Sequence, residues 1–373
     1  MKKLVALSMT LALALSLTAC GGGSSSTTAT TGGGGASTTA ASKDSGADTT
    51  AASQDDKSGT PDAAPAGDVV VMTLASNHTQ DFVTSLACKH FAEQVEEKTG
   101  GAVKIECYFD AVLGEETATL EQCQYGGIDF IRVSMSPLAE FVPAYSSMQL
   151  PYIYSSREHF WKVMDAPDIG QELLKSDGMT SNGLYGLAYY DNGTRNFFFS
   201  SNEVHGVKDM AGLTLRVQES DLMIGMVKAM GANPVAMAAS ELYSSLQTGV
   251  VSGAENNLPW YLSMSLNEVA PLITMDEHTR TADMLIMSEK SKEKVTPEQL
   301  QIIEECAAES SQYQRELWAK SEEEARQQCI DAGCTIIDLT DEERQSYMDC
   351  VTELNAQFGE EYKDILDKIA AMK

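Results

Sequence analysis

The chain has 373 residues and a formal charge of −28, so it is long enough for two lobes with real cores and too acidic to offer nucleic acid a basic face. Its eight cysteines show no CxxC spacing, and no HExxH, GxSxG or internal repeat is present. A zinc or redox cluster is therefore not expected, nor any metal or cofactor, and an acidic protein that takes an acidic ligand must do so through a few locally placed cations.

The first segment is a leader. Lys2 and Lys3 precede an apolar stretch from Leu4 to Thr18, shorter than the ~20 residues a membrane-spanning helix needs. It stops at Leu17-Thr18-Ala19-Cys20, followed by glycine. That ending resembles the lipobox of bacterial lipoproteins, which implies a signal peptide over 1–19, a lipid on Cys20, and a mature protein anchored to the outer face of the cell membrane. An ordinary secretory signal with a chance cysteine is the competing reading. Residues 21–67 are nearly all Gly, Ser, Thr, Ala, Asp and Pro, without an aromatic or large aliphatic side chain. Such a segment cannot bury enough apolar surface to offset ordering, and as a flexible coil it reaches about 35–40 Å.

Residues 68–373 then read as α/β. A β-rich run at Val69–Ala75 leads into helical spacing over Gln80–Lys98, with Phe82, Leu86, Phe91 and Val95 on one face and Gly100-Gly101 as the stop. Strand Val103–Phe109, helix Glu115–Tyr125 and strand Ile128–Ser134 follow. Strand Leu213–Val217, helix Asp221–Met230, strand Pro234–Met237, helix Ser240–Gln247 and strand Val250–Ala254 make a second set. This alternation predicts βαβ units on a largely parallel sheet, in two lobes around a cleft. Thr296–Lys373 reads as mainly helical and charged, with Glu322-Glu323-Glu324 as a solvated face. The odd set of seven cysteines, Cys88, Cys107, Cys123, Cys306, Cys329, Cys334 and Cys350, leaves at least one thiol unpaired, and most are expected to act as small buried hydrophobes.

A resemblance is carried by Asn192-Gly193-Thr194-Arg195, by Met210-Ala211-Gly212-Leu213-Thr214-Leu215-Arg216-Val217-Gln218-Glu219-Ser220, by the run from Gly231 to Met237, and by Ser240 to Asn257, which ends Gly253-Ala254-Glu255-Asn256-Asn257. Phe91 to Val95 and Val112 to Glu116 fit as well. In order and spacing these segments resemble the DctP-like substrate-binding proteins of tripartite ATP-independent periplasmic (TRAP) transporters. The resemblance implies a two-lobed, periplasmic-binding-protein-like (type II-like) fold that closes on its ligand, with a long helix bridging the lobes. Lobe I is expected over about 68–191 and 282–310, lobe II over about 192–281, with C-terminal helices spanning both. It also implies small and large TRAP membrane subunits as partners, transport driven by an ion gradient, and a monomer.

By the same resemblance Arg216 is the principal ligand contact. Physical chemistry agrees, because a planar guanidinium at a strand end can hold a carboxylate through two parallel hydrogen bonds. Arg195 corresponds to a second arginine that often reaches the ligand, with a structural salt bridge as its alternative. Asn256 corresponds to a cleft-facing asparagine, or else caps a helix. Asn77 and His78 either roof the cleft or cap the first helix. Glu116 and Gln218 are read as partners for ligand hydroxyls, with Glu116 also repelling a second carboxylate, and Glu219 either bonds a hydroxyl or starts the next helix. Arg-Val-Pro-Asn, common in sialic-acid binders, is replaced here by Arg216-Val217-Gln218-Glu219, and the aromatic of Met-Ala-Phe-Ser-Glu by Ala239. With Gly-Ala-Glu-Asn-Asn and Glu277-His278-Thr279, the pattern points to hexuronates such as glucuronate or galacturonate. C4-dicarboxylates are the runner-up. A secreted enzyme acting on sugar acids and a ligand-presenting partner of a sensor are the rival classes.

Overall fold

A computed structural model describes residues 68–373; the leader, Cys20 and the tether lie outside them. The first unit follows the sequence closely. Strand β1 (Val70–Ala75) pairs in parallel with β2 (Val103–Tyr108) and β3 (Phe130–Ser134), and helices α1 (Val83–Lys98) and α2 (Glu116–Gln124) make the crossovers. Helix α1 stops where it should. Gly100 and Gly101 take φ of 60° and 79°, and the Gly101 N–H turns back to the Glu96 carbonyl at 2.8 Å. A run of short helices over 135–181 closes this lobe.

The second unit repeats the plan with β5 (Thr214–Val217), α3 (Asp221–Ala229), β6 (Asn233–Ala236), α4 (Leu242–Gln247) and β7 (Gly253–Asn256). Strand β7 begins later than the apolar Val250-Val251 pair suggests, because those residues lie in the turn after α4. The short α5 (Leu258–Ser263) follows directly.

The sheet as a whole is mixed, which corrects the expectation of a largely parallel one. Between the two parallel sets run β4 (Leu184–Phe199) and β8 (Leu272–Ser288), long strands paired antiparallel to each other, with β3 antiparallel to β8 and β7 antiparallel to β4. The strand order is β2-β1-β3-β8-β4-β7-β5-β6, and β9 (Thr335–Asp338) adds beside β8. Both crossing strands are buried on both faces and carry polar residues in mid-strand, so neither shows period-2 alternation. Their register slips between Asp191 and Thr194, a bulge in which Gly193 has φ of 63°.

That bulge rests on the longest helix, α6 (Pro297–Asp331). Thr296 and Gln299 form a reciprocal capping box at its start, and Pro297 occupies the first turn, where it costs no hydrogen bond. Helix α6 packs against α1 in the first lobe and α5 in the second, and so bridges them. Its Gln314 amide grips the Asp191 backbone from both sides, at 2.6 and 2.9 Å. Glu322 is not a solvated residue as its acidic run suggests. It turns inward, takes the Thr194 N–H at 3.3 Å and lies 3.6 Å from Arg280, while Glu323 and Glu324 stay exposed. The seven described cysteines are free thiols and five are buried; burial pushes the Cys107 and Cys329 thiols up to about 12, which leaves them inert. No described helix is long and apolar enough to cross a membrane, and no three potential metal ligands come together among the described residues.

Candidate functional site

The carboxyl ends of the parallel strands in both lobes face one cleft, the place where open α/β sheets hold ligands. A small cavity lies there, lined by Asn77, His78 and Glu116 from the first lobe and by Arg195, Arg216, Gln218 and Asn256 from the second half of the sheet. A roomier recess runs from Leu150–Ile153 to the C-terminal helices, lined mainly by apolar side chains with Tyr152, Asn355 and Lys373 among them. The cleft is the better candidate on chemistry, and it is small because the lobes meet across its mouth. Thr117 Oγ1 donates to Glu219 at 2.5 Å, the Asp221 N–H to Glu140 at 2.7 Å, and the Ser240 N–H to Glu115 at 3.3 Å.

Arg216 is at the centre. The neighbours Leu215 and Val217 bury into the core behind β5, which turns the arginine toward the cleft. Its Nε–H donates to the Met237 carbonyl at 2.9 Å, fixing the plane of the guanidinium. Both terminal nitrogens lack a protein hydrogen-bond partner, and no carboxylate within 4.0 Å pairs with it among the described residues. Burial lowers its pKa to about 10, with Glu255 opposing only in part. A buried, fixed cation with free donors is a built anion site.

Arg195 is placed differently. Its Nε and Nη2 form a two-pronged pair with the Glu255 carboxylate at 2.5 and 2.9 Å, so its salt bridge exists, and the side chain still lines the cavity. Behind it His278 lies 3.3 Å from Glu255 and 2.9 Å from Asp276. Burial pushes the Glu255 carboxyl up, but Arg195 and His278 outweigh it and hold it at about 2. Burial lowers the His278 pKa, while Asp276 and Glu255 outweigh burial and raise it to about 9. Asn256 does not cap a helix. That role falls to Asn257, whose Oδ1 accepts from the Trp260 N–H at 2.8 Å; the Asn257 N–H in turn holds Asn256 Oδ1 at 2.8 Å, leaving the Asn256 amide NH₂ for the cavity.

Asn77 and His78 do not cap α1 either, since no side chain caps that helix. Asn77 donates to Glu115 at 2.9 Å and accepts from Arg132. His78 Nδ1 bonds Thr84 at 2.7 Å, and burial followed by the nearby Arg132 charge keeps its pKa well below the usual value. Glu116 Oε1 takes the Ser134 N–H and hydroxyl, each at 2.8 Å, and Oε2 is left toward the cleft with Gln218 Nε2 at 3.5 Å. Gln218 Oε1 is buried without a partner. Glu219 is the exception: it is exposed, lies at the mouth bonded to Thr117, and does not line the inner cavity.

Sequence reasoning did not find Ser134, Asn192 and Trp260 on the cavity wall, nor the Glu255–His278–Asp276 network behind it. It also missed Arg132. A signal for that residue was there, since an arginine inside the apolar strand Phe130-Ile131-Arg132-Val133 must find buried anions.

The fold and site define a two-lobed solute-binding protein of the type II-like class. The chain belongs to the bacterial extracellular solute-binding proteins of family 7, the DctP family, whose model matches residues 74–361. A solute-binding protein of Chromohalobacter salexigens is 32% identical over 288 residues, 77% of this chain and 84% of that one. A TRAP periplasmic solute-binding protein of Citrobacter koseri, solved with D-glucuronate bound, has a TM-score of 0.77 and 33% identity, covering 81% of this chain and 99% of that one. Its counterpart from Sulfitobacter sp. NAS-14.1, solved with β-D-galacturonate bound, has a TM-score of 0.75 and 31% identity, covering 81% and 98%. This chain is thus the extracytoplasmic solute-binding component of a TRAP transporter, a partner of TRAP membrane subunits and not an enzyme.

Proposed function

We propose that this protein captures a hexuronate, glucuronate or galacturonate, and delivers it to its membrane subunits by lobe closure. The observation that carries the reading is Arg216, a buried guanidinium with its plane fixed by Met237 and its terminal donors free in the cleft. A single carboxylate satisfies those donors. The ring hydroxyls then meet Asn256 and Gln218 on one wall and Asn77, His78 and Glu116 on the other, with Arg195 beside them. Glu219 acts at the mouth, bonded to Thr117 when the lobes are together.

Because the walls come from different lobes, a ligand that touches both favours the closed form, and only contacts made better there shift the equilibrium. The lobes are taken as about 68–191 with 282–310, and 192–281, with the bulge at Asp191–Thr194 as hinge and the C-terminal helices spanning both. The protein works as a monomer, held to the cell membrane by a lipid on Cys20 and free to move on the tether of residues 21–67. The two bound hexuronates in the related structures support the ligand class.

The test is a thermal-shift panel on the purified protein with glucuronate, galacturonate, succinate, malate, sialic acid and amino acids. A ligand at a hundredfold excess over its dissociation constant adds about 2.7 kcal/mol to the folded state. A shift with the uronates alone is expected. A shift with succinate or malate instead moves the ligand to the C4-dicarboxylates, and uronate turnover by the purified protein overturns the binding-only role.

A further inference from the structure

Arg132 is buried directly behind the first-lobe wall of the cavity and is absent from its lining. Its guanidinium reaches the two polar groups that wall presents. Nη1 lies 2.8 Å from Glu116 Oε1, and Nη2 donates to Asn77 Oδ1. Asp283 Oδ2 lies 3.1 Å from the same Nη1 as a second ion-pair partner, and Nε donates to the Ser76 hydroxyl at 3.3 Å. Glu116 Oε1 is therefore held by hydrogen bonds from the Ser134 N–H and hydroxyl and by the charge of Arg132, whose Nη1 makes an ion-pair contact and no hydrogen bond. The same carboxylate's Oε2 meets only the Gln218 amide, at 3.5 Å. Gln218 Oε1, 6% exposed as a residue, has no hydrogen-bond partner among the described residues. Two acceptors from opposite lobes thus converge with one long hydrogen bond between them, and hydroxyl groups are the donors a small solute brings.

The same wall has no cation to spare. Arg132 faces Glu116 and Asp283, and burial followed by the Arg132 charge holds the His78 pKa well below its usual value. Arg195, on the other side, is paired to Glu255. A solute with a second carboxylate would place it against Glu116 in a desolvated space, where like charges repel strongly.

We propose that Arg132 is the positioning residue that sets which solutes the cleft accepts: it holds Glu116 with one oxygen turned to the cavity, so that the first-lobe wall accepts hydroxyls and turns away a second carboxylate. This rests on the hexuronate reading and adds to it the group that enforces the preference for one carboxylate. Because Arg132 acts through Glu116, removing either should have the same consequence, and removing both should add little.

The experiment is a double-mutant cycle by isothermal titration calorimetry, with galacturonate and with galactarate, the same carbon skeleton carrying two carboxylates. Glu116→Gln and Arg132→Lys are each expected to weaken galacturonate about tenfold, and the double variant is expected to lose no more than either single one. The preference for galacturonate over galactarate should shrink in all three. The role is overturned if Arg132→Lys stays within twofold of the parent, if the two losses multiply in the double variant, or if both acids weaken by one common factor. Should Arg132→Lys fail to fold, Ser134→Ala removes the hydroxyl donor to the same Glu116 oxygen without disturbing a buried charge. It should weaken galacturonate severalfold and add nothing to Glu116→Gln; a multiplied loss there overturns the role equally. A parent protein that binds no uronate overturns the hexuronate reading itself, and this is read before any variant is compared.

Discussion

At the scale of single residues, two arginines in one cleft have opposite electrostatic situations. Arg195 is neutralised by Glu255 at 2.5 Å, whereas Arg216 has only a carbonyl for its Nε and keeps its terminal donors free. The proposed carboxylate clamp therefore falls on Arg216. Arg216→Ala is expected to cost hexuronate binding about 2–5 kcal/mol by calorimetry, because the ligand carboxylate would be desolvated without a partner. Arg216→Lys should recover only part of that loss, since an ammonium cannot copy the two parallel bonds of the guanidinium. Binding by both variants at the parental level would remove Arg216 from the site. The arginine was legible in the sequence through its motif. Its free donors were not, because whether a buried charge is paired depends on residues far away in the chain, here residue 255 for Arg195.

At the scale of elements, the short βαβ segments were legible and the two crossing strands were not. β1 and β3 announce themselves by compact, mostly apolar runs, β2 by the alternation of Val103, Ile105 and Cys107 with Lys104 and Glu106, and α1 by its spacing and its glycine stop. β4 and β8 hide because they are buried on both faces and hold Asp191, Asn192, Asp276, His278 and Asp283 in mid-strand, partnered by other elements. Their bulge has its own signature in Gly193. A Cβ there would stand 2.9 Å from the Trp318 ring and 2.6 Å from Glu322 Oε1, on backbone with φ of 63°. The carboxylate can move away, but Trp318 is fully buried on α6. Gly193→Ala should therefore destabilise the fold by about 2–4 kcal/mol in urea unfolding, combining left-handed strain with overpacking. An unchanged midpoint would mean that the crossing accommodates a side chain and is not the tight pivot proposed.

At the scale of the whole molecule, the charge of −28 and the uptake of an anion coexist because binding depends on local field, not net charge. The cations that matter are few and lie where strand ends of both lobes converge. Attachment belongs to this scale as well, and it is proposed to depend on Cys20 alone. Cys20→Ser is expected to shift the protein from the membrane fraction to the soluble extracytoplasmic fraction while galacturonate affinity stays within twofold, as read by fractionation and calorimetry. Retention in the membrane fraction would overturn the lipid anchor.

The sequence by itself determined the α/β class, the polar composition of residues 21–67, the family and the strand-end arginine. Each of these rests on local information: composition, periodicity, and short motifs whose residues act where they stand. Only the tertiary structure decided that the sheet is mixed, that Arg195 is paired and Arg216 is not, that Glu219 stands at the mouth, and that Arg132 lies behind Glu116. Those facts depend on contacts between residues far apart in the chain, such as residues 132 and 283, and a buried charge or a doubly covered strand takes its role from the partner that folding brings to it.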